Sequence, residues 1–244
     1  MRYFIRLSYK GTHYHGWQRQ PNGISVQEEL ENAFSLMLKE QIAITGAGRT
    51  DAGVHAKNYI AHFNTEQQLD KETISQLVYR LNSYLPKAIA IHEIYPVGDE
   101  LHARFSAKER TYKYYITQSK NPFATDRAWH VHHKMDVDMM NLACSILMEY
   151  EDFGSFAKLH SDTKTNICHI MQASWECRDD LLVFTIKADR FLRNMVRAIV
   201  GTMVDIGAGR TDLQQFREII ESKDRNKAGR SAPARGLFLV EVAY

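Results

Sequence analysis

Two periods alternate in the pattern of apolar and polar positions along this chain. One repeats every second residue, as in a strand, and the other roughly every 3.6 residues, as in a helix. Residues 2–9 predict a strand. Ser25 and Glu28 form a capping box ahead of Val26, Leu30, Phe34, Met37 and Leu38, which predicts an amphipathic helix over 26–39. Strands are predicted at 41–47 and 58–64, a helix at 70–82 through Ile74, Leu77, Val78 and Leu81, and a strand at 88–96 closed by Pro96. This order is β-α-β-β-α-β, the ferredoxin-like unit. The order then returns. A strand at 110–118 is followed by a helix at 137–149, and a hairpin at 166–177 and 181–188 turns at Arg178-Asp179-Asp180. A strongly apolar helix at 190–206 and a closing strand at 236–243 complete it. The expected fold class is α+β, with two ferredoxin-like halves at residues 1–103 and 104–244. Each would be an antiparallel sheet with helices on one face and the other face open to a ligand.

One hexapeptide breaks the absence of sequence repetition. Gly46-Ala47-Gly48-Arg49-Thr50-Asp51 recurs unchanged as Gly207-Ala208-Gly209-Arg210-Thr211-Asp212. The second copy follows one apolar helical run and precedes another, at Leu213, Phe216, Ile219 and Ile220. There a glycine can end the first helix, and Thr211 or Asp212 can cap the next. The first copy runs into Ala52-Gly53-Val54-His55 and a strand pattern. Asp51 therefore has no helix to cap. It lies in a glycine-rich loop two residues from Arg49, where backbone can approach a ligand closely. No Lys-Ser/Thr follows the glycines and no helix begins, so the loop is not a phosphate-binding one. A structural Asx turn competes with a catalytic carboxylate here.

Composition adds limits. A chain of 244 residues, 44% hydrophobic and 25% charged, is ordinary for a globular protein, and no apolar run is long enough to span a membrane. The start alternates like a strand and lacks the apolar core of a signal peptide. Cys144, Cys168 and Cys177 have neither metal nor redox spacing, so free thiols and a cytoplasmic location are expected. A net charge of +2 announces no nucleic-acid partner, so any such partner must meet a local basic surface.

Basic and aromatic residues interleave along Arg104-Phe105-Ser106-Ala107-Lys108-Glu109-Arg110-Thr111-Tyr112-Lys113-Tyr114. Aromatic faces there could stack a splayed base while cations meet phosphate, although for this segment alone an edge strand with solvated lysines and core tyrosines is the better reading. On the predicted apolar helix, Arg193 and Arg197 flank the stripe Leu192, Met195, Val196, Ile199, Met203 one turn apart. His130-Val131-His132-His133 and the pair His13 and His15 look like metal ligands. No Cys or carboxylate stands at supporting spacing, so no metal is expected.

In order along the chain, these segments resemble the tRNA pseudouridine synthase A family. The resemblance is carried by Gly16-Trp17-Gln18-Arg19-Gln20, Ser25-Val26-Gln27-Glu28, Gly48-Arg49-Thr50-Asp51-Ala52-Gly53-Val54-His55 and His102-Ala103-Arg104-Phe105-Ser106-Ala107. It continues through Arg110-Thr111-Tyr112-Lys113-Tyr114, Asn194-Met195-Val196-Arg197, and Ala232-Pro233-Ala234 with Gly236-Leu237. It implies isomerisation of uridine to pseudouridine in the anticodon arm of tRNA, without metal or organic cofactor. It further implies a homodimer and a cleft between two ferredoxin-like halves. Asp51 matches the family nucleophile, Tyr112 its active-site tyrosine and Arg197 the arginine that pairs with the aspartate. Arg49 and Arg104 match RNA contacts, and Arg110 and Arg19 extend the same basic surface. His160 to Lys164 correspond to an RNA-contacting loop of different sequence. Lys120 and Leu69 fall at other contact positions, where Leu69 can make no ionic contact. The rival readings are a non-catalytic RNA-binding module of tandem ferredoxin-like sheets and a histidine-ligated metal hydrolase. The aromatic RNP1 pattern of RNA-recognition motifs is absent, which counts against the module.

Overall fold

The alternation at the start of the chain forms strand β1 (Arg2–Tyr9). The computed structural model describes residues 1–158 and 164–244. Among the described residues there are nine strands and five α-helices, a mixed α+β protein. The chain divides into two compact units, Met1–Lys108 with Leu239–Tyr244, and Glu109–Phe238.

The first unit continues through α1 (Val26–Leu38), β2 (Ile44–Gly46), β3 (His55–Asn64), α2 (Lys71–Tyr84) and β4 (Ile89–Val97). β1 is antiparallel to β3 on one side and to β4 on the other, and β2 is antiparallel to β3. The period-2 pattern decides what each face holds. Tyr3 of β1 stacks on Phe63 of β3 at 5.5 Å, and Phe34 of α1 meets Phe63 edge-on at 5.0 Å. Phe34 is fully buried, a side chain whose removal from water contributes about 2 kcal/mol. The opposite face is covered at its Phe4 end. Phe4, Ala47, Ile60 and Ala103 form a second cluster there with Tyr95, Leu101 and Val242 against it. Tyr244 closes over Phe4 and donates its hydroxyl to the Ala103 carbonyl at 2.7 Å.

α1 starts where the sequence predicts, but only half of the expected capping box forms: Ser25 accepts from the Glu28 N–H at 3.2 Å. The Glu28 carboxylate lies 3.5 Å from Arg19. Two boundaries move for hydrogen-bonding reasons. β2 omits residues 41–43, since the Ile42 N–H goes to Ser35 Oγ on α1 at 2.9 Å. β3 begins earlier, because Ala56 already pairs with Tyr9. β4 passes through Pro96, which faces Tyr3 in register, and ends at Val97.

The second unit comprises β5 (Glu109–Thr117), β6 (Trp129–His130), α3 (Val137–Leu147), β7 (Ile170–Arg178), β8 (Leu181–Ala188), α4 (Met195–Gly207) and α5 (Leu213–Ser222). β9 (Leu237–Ala243) begins in this unit and ends in the first. β8 is antiparallel to both β5 and β7. The hairpin turn is placed at Asp179, whose φ of 51° is a left-handed value that aspartate tolerates. β6 was not legible in the sequence. It is a two-residue parallel pairing, Ile116 with Trp129 and Thr117 with His130. β7 starts at Ile170 rather than 166, because the Cys168 N–H goes to the Glu151 carbonyl.

The largest departure concerns α4. Apolar periodicity extends the helix back to residue 190, but it begins at Met195. Asn194 has φ 67°, which no α-helix continues. Arg193 therefore lies outside the helix, with its carbonyl accepting from the Lys158 N–H at 3.0 Å, and only Arg197 is on it.

The second hexapeptide does what its surroundings predict. α4 ends at Gly207, Gly209 takes φ 70°, and Asp212 caps α5. Asp212 accepts from the Gln215 N–H at 2.7 Å while Gln215 accepts from the Asp212 N–H at 3.0 Å. Arg210 is paired with Asp205 at 2.6 Å. Asp212→Ala is expected to lower stability by about 1 kcal/mol, the worth of such a cap, and to leave enzymatic turnover intact. Urea denaturation beside a turnover assay measures both.

Candidate active site

The first hexapeptide is held in a different way. Asp51 is half-buried between exposed Arg49 and exposed Ala52, and β3 starts four residues later. Segment 14–17 grips the loop by its backbone. The Trp17 N–H donates to the Thr50 carbonyl at 3.3 Å, and the Gly53 N–H to the Tyr14 carbonyl at 3.3 Å. Inside the loop the Val54 N–H returns to the Asp51 carbonyl at 3.1 Å. The Tyr9 hydroxyl lies 2.9 Å from Thr50 Oγ1, and the Tyr59 hydroxyl bonds the Gly48 backbone. Trp17 stacks on Tyr59 at 4.1 Å. Gly16 explains the close fit. Its φ is 92°, and a Cβ there would stand 2.3 Å from the Thr50 carbonyl oxygen. Asp51 is thus carried on a loop whose main chain is tied at Thr50, Gly53 and Val54, with the Tyr9 and Tyr59 hydroxyls bonded to Thr50 and Gly48.

The segment after β4 brings His102, Arg104 and Phe105 together in the same unit. His102 Nδ1 accepts from the Arg104 and Phe105 N–H groups at 3.1 and 3.2 Å. The Phe105 ring is 76% exposed, with the Arg104 guanidinium 5.5 Å from its centroid. Such an exposed ring beside a cation suits a stacked base. Beneath it His62 is buried, and its Nδ1 accepts from the Ala103 N–H at 3.1 Å. Burial first, then the Arg2 and His102 charges, pulls the His62 pKa down to about 4. A folded-state pKa below the ordinary 6.5 means that the unfolded chain binds the extra proton first. Stability from neutral His62 is full above about pH 6.5 and is lost as pH falls toward about 4. His62→Gln should flatten the pH dependence of the urea midpoint between those values.

In the second unit, Tyr112 is half-buried on β5 opposite Ile186, with Phe191 edge-on at 5.1 Å. Two residues along, Tyr114 is fully buried, and its hydroxyl donates to the Pro233 carbonyl at 2.8 Å. Its full burial and this bond make it a packing residue, and burial raises its pKa far above the usual tyrosine value. The interleaved strand therefore buries Tyr114 in the core and leaves Tyr112 half-buried. Arg110 is also half-buried, and its Nη1 donates to the Asp189 carbonyl at 2.7 Å. Arg197 stands in the first turn of α4, where its Nε donates to the Ala232 carbonyl at 2.7 Å.

Comparison with known proteins adds the decisive observation. The family model described as tRNA pseudouridine synthase matches residues 6–106 and 145–244. The chain belongs to the tRNA pseudouridine synthase family. It is 52% identical over 246 residues to the tRNA pseudouridine synthase A of Parabacteroides distasonis, covering 100% of this chain and 96% of that one. The corresponding figures are 53%, with 100% and 90% covered, for Bacteroides thetaiotaomicron, and 52%, with 100% and 96% covered, for Bacteroides fragilis. Asp51, Arg49, Arg104 and Arg197 fall inside the stretches that the synthase family matches, whereas Arg110 and Tyr112 fall between them.

The remaining candidates divide clearly. Arg19 is turned to carboxylates at the start of α1, 3.5 Å from Glu28 and 3.8 Å from Glu31. Leu69 is a core residue whose N–H donates to the Tyr3 hydroxyl at 2.9 Å. Lys120 is exposed. Residues 160–163 of the loop from His160 to Lys164 lie outside the described residues. His130 and His132 approach each other at 4.2 Å, but no group of three or more His, Cys, Asp or Glu among the described residues could hold a metal. Cys144 and Cys168 are buried, and burial pushes both thiols up to about 12, while Cys177 is exposed. No helix among the described residues is long and apolar enough to cross a membrane.

Sequence reasoning about single residues missed the grip of Tyr14, Gly16 and Trp17 on the Asp51 loop, the Phe191 edge on Tyr112, and the Ala232 carbonyl on Arg197. The adjacent Gly16-Trp17 was visible as part of a motif, but nothing in its type says which loop it holds.

Proposed function

We propose that this protein isomerises uridine to pseudouridine in the anticodon arm of tRNA. The observation that carries the proposal is full-length identity above half to tRNA pseudouridine synthases A, together with membership of that family. The reaction breaks the glycosidic C–N bond, turns the base and forms a C–C bond at the same sugar carbon. Substrate and product are isomers, so electrons and atoms balance without a redox partner.

In this reading Asp51 supplies the ionised carboxylate. It attacks base C6, attacks sugar C1′, or removes the 2′-proton in a glycal route, and each route starts from the same charged group. Arg197 favours that charge, and its planar guanidinium suits a carboxylate better than an ammonium does. Tyr112 stacks on the base once it has left the helix. The two halves, 1–103 and 104–244, are proposed to be ferredoxin-like, and the working protein a cytoplasmic homodimer. The contrast between the hexapeptide copies supports Asp51 over Asp212, since only the latter caps a helix. The test is to incubate the protein with an unmodified tRNA transcript and map pseudouridine. A transcript that stays unmodified would refute the proposal, and a retained but unproductive complex would favour the non-catalytic RNA-binding module.

The charge of only +2 makes the RNA surface local. Arg49 and Arg104, both exposed, are the proposed phosphate contacts, with Arg110 and Arg19 at its margins. Removing one contact should reduce the slope of log affinity against log salt by roughly 0.7–0.9. Arg104→Ala is expected to show that change with an anticodon-arm RNA, whereas Arg19→Ala, already facing Glu28 and Glu31, should show less. Salt-independent binding by the wild type would remove the support for this surface.

A further inference from the structure

The Nε of Arg197 is committed to the backbone of a residue 35 positions later in the chain. The bond to the Ala232 carbonyl measures 2.7 Å, and the Ala232 N–H returns to the Arg197 carbonyl at 2.9 Å. A guanidinium is planar, so fixing Nε fixes the direction of the remaining N–H groups. The aim of Arg197 therefore depends on where Ala232 is held. Residues 228–232 have no helix or strand of their own.

Other side chains hold them. The Arg225 guanidinium donates from Nη1 to the Gly229 carbonyl at 3.1 Å and to the Ala228 carbonyl at 3.3 Å. Its Nη2 donates to Ser231 Oγ at 2.9 Å. Ser231 Oγ also accepts from Asn194 Nδ2 at 2.6 Å, which ties it to the residue entering α4. The Gly229 N–H donates to Thr202 Oγ1 on α4 at 2.9 Å. Backbone contact completes the seat. A Cβ on Gly201 would stand 1.7 Å from the Arg230 carbonyl oxygen, so the segment rests directly on the α4 main chain. Asn194, Arg197, Gly201 and Thr202 thus meet the segment along successive turns of one helix entrance.

We infer that Arg225 and Ser231 are positioning residues for Arg197, holding the 228–232 segment so that the Ala232 carbonyl aims the guanidinium. This rests on the reading that Arg197 serves the reaction. Neither residue is proposed to touch RNA. Charge-assisted bonds from one arginine to two carbonyls and a hydroxyl hold an irregular segment in one place. Without them the segment explores other arrangements, and a displacement near 1 Å at a catalytic group can cost on the order of a hundredfold in rate.

The test is single-turnover and steady-state kinetics on an unmodified tRNA transcript, well below the melting temperature of each variant. Arg225→Ala is expected to lower kcat about tenfold or more with KM and tRNA affinity unchanged. Arg225→Lys should recover little, because an ammonium cannot form the fork. Ser231→Ala, which removes both bonds to its hydroxyl without changing charge, should lower kcat several-fold, and Ser231→Thr should restore it. This pair carries the test if Arg225→Ala does not fold. In an Arg197→Lys background neither Arg225→Ala nor Ser231→Ala should lower kcat further. Impaired Arg197→Lys with wild-type kcat in Ser231→Ala and in a folded Arg225→Ala overturns the inference, as do additive losses. Wild-type kcat in Arg197→Lys instead overturns the catalytic reading of Arg197 on which it stands.

Discussion

Asp51→Ala is expected to lower pseudouridine formation by on the order of 10⁴-fold or more while tRNA still binds. The proposed chemistry has one carboxylate that bonds to the nucleotide or abstracts its proton, and alanine supplies no substitute. The surrounding loop should survive the change. Its ties run through the main chain at Thr50, Gly53 and Val54, and through the Tyr9 and Tyr59 hydroxyls. If the loop faces RNA as proposed, removing its negative charge should leave affinity equal or slightly higher. Asp51→Asn keeps the shape without the charge and should be comparably inactive. The twin position is the internal control, since Asp212→Ala removes the same residue type from the same hexapeptide and costs only a helix cap. Mapping pseudouridine in a transcript and measuring filter binding with all three variants decides the matter. An active Asp51→Ala alongside an inactive Asp212→Ala would reverse the assignment.

Tyr112→Leu is expected to reduce turnover by roughly ten- to a hundredfold. Stacking of a base on an aromatic face contributes about 1–3 kcal/mol, and leucine offers no such face. Phe191 meets the Tyr112 ring edge-on at 5.1 Å and sets the plane on which a flipped base would lie. Tyr112→Phe preserves that plane, so it should retain most of the turnover. A phenylalanine variant that falls as far as the leucine variant would move the role to the hydroxyl, where proton transfer contributes about 10²–10⁴-fold. Near-normal turnover in Tyr112→Leu would remove Tyr112 from the mechanism. Tyr114, two residues on and facing Pro233, is the contrasting case. Its loss should appear in stability, because its hydroxyl and ring are already used in packing.

By itself, the sequence determined the features that arise from neighbours along the chain. Period-2 and helical patterns located β1, α1, α2, α3 and the β7–β8 hairpin, because a strand or helix buries a face written into consecutive residues. The distinction between the two hexapeptides was also local, since an apolar helical run follows Asp212 and a strand pattern follows Asp51. Family membership followed from ordered motifs such as Arg49-Thr50-Asp51-Ala52-Gly53.

Tertiary structure decided whatever depends on residues far apart in sequence. Apolar periodicity carried α4 back to residue 190, but burial of Leu192 does not require a helix, and a left-handed Asn194 ends it there. The open sheet face expected of the first half is covered near Phe4 by residues 101–103 and 242–244; the closing strand was legible from its pattern, but the face it would cover was not, because that partner lies far away in sequence. The grip of Tyr14 and Trp17 on the Asp51 loop, and of Arg225 and Ser231 on the segment that aims Arg197, are hydrogen bonds from side chains and main chain across loops. A backbone N–H or carbonyl has no sequence signature, so its partner is settled only when the chain has folded.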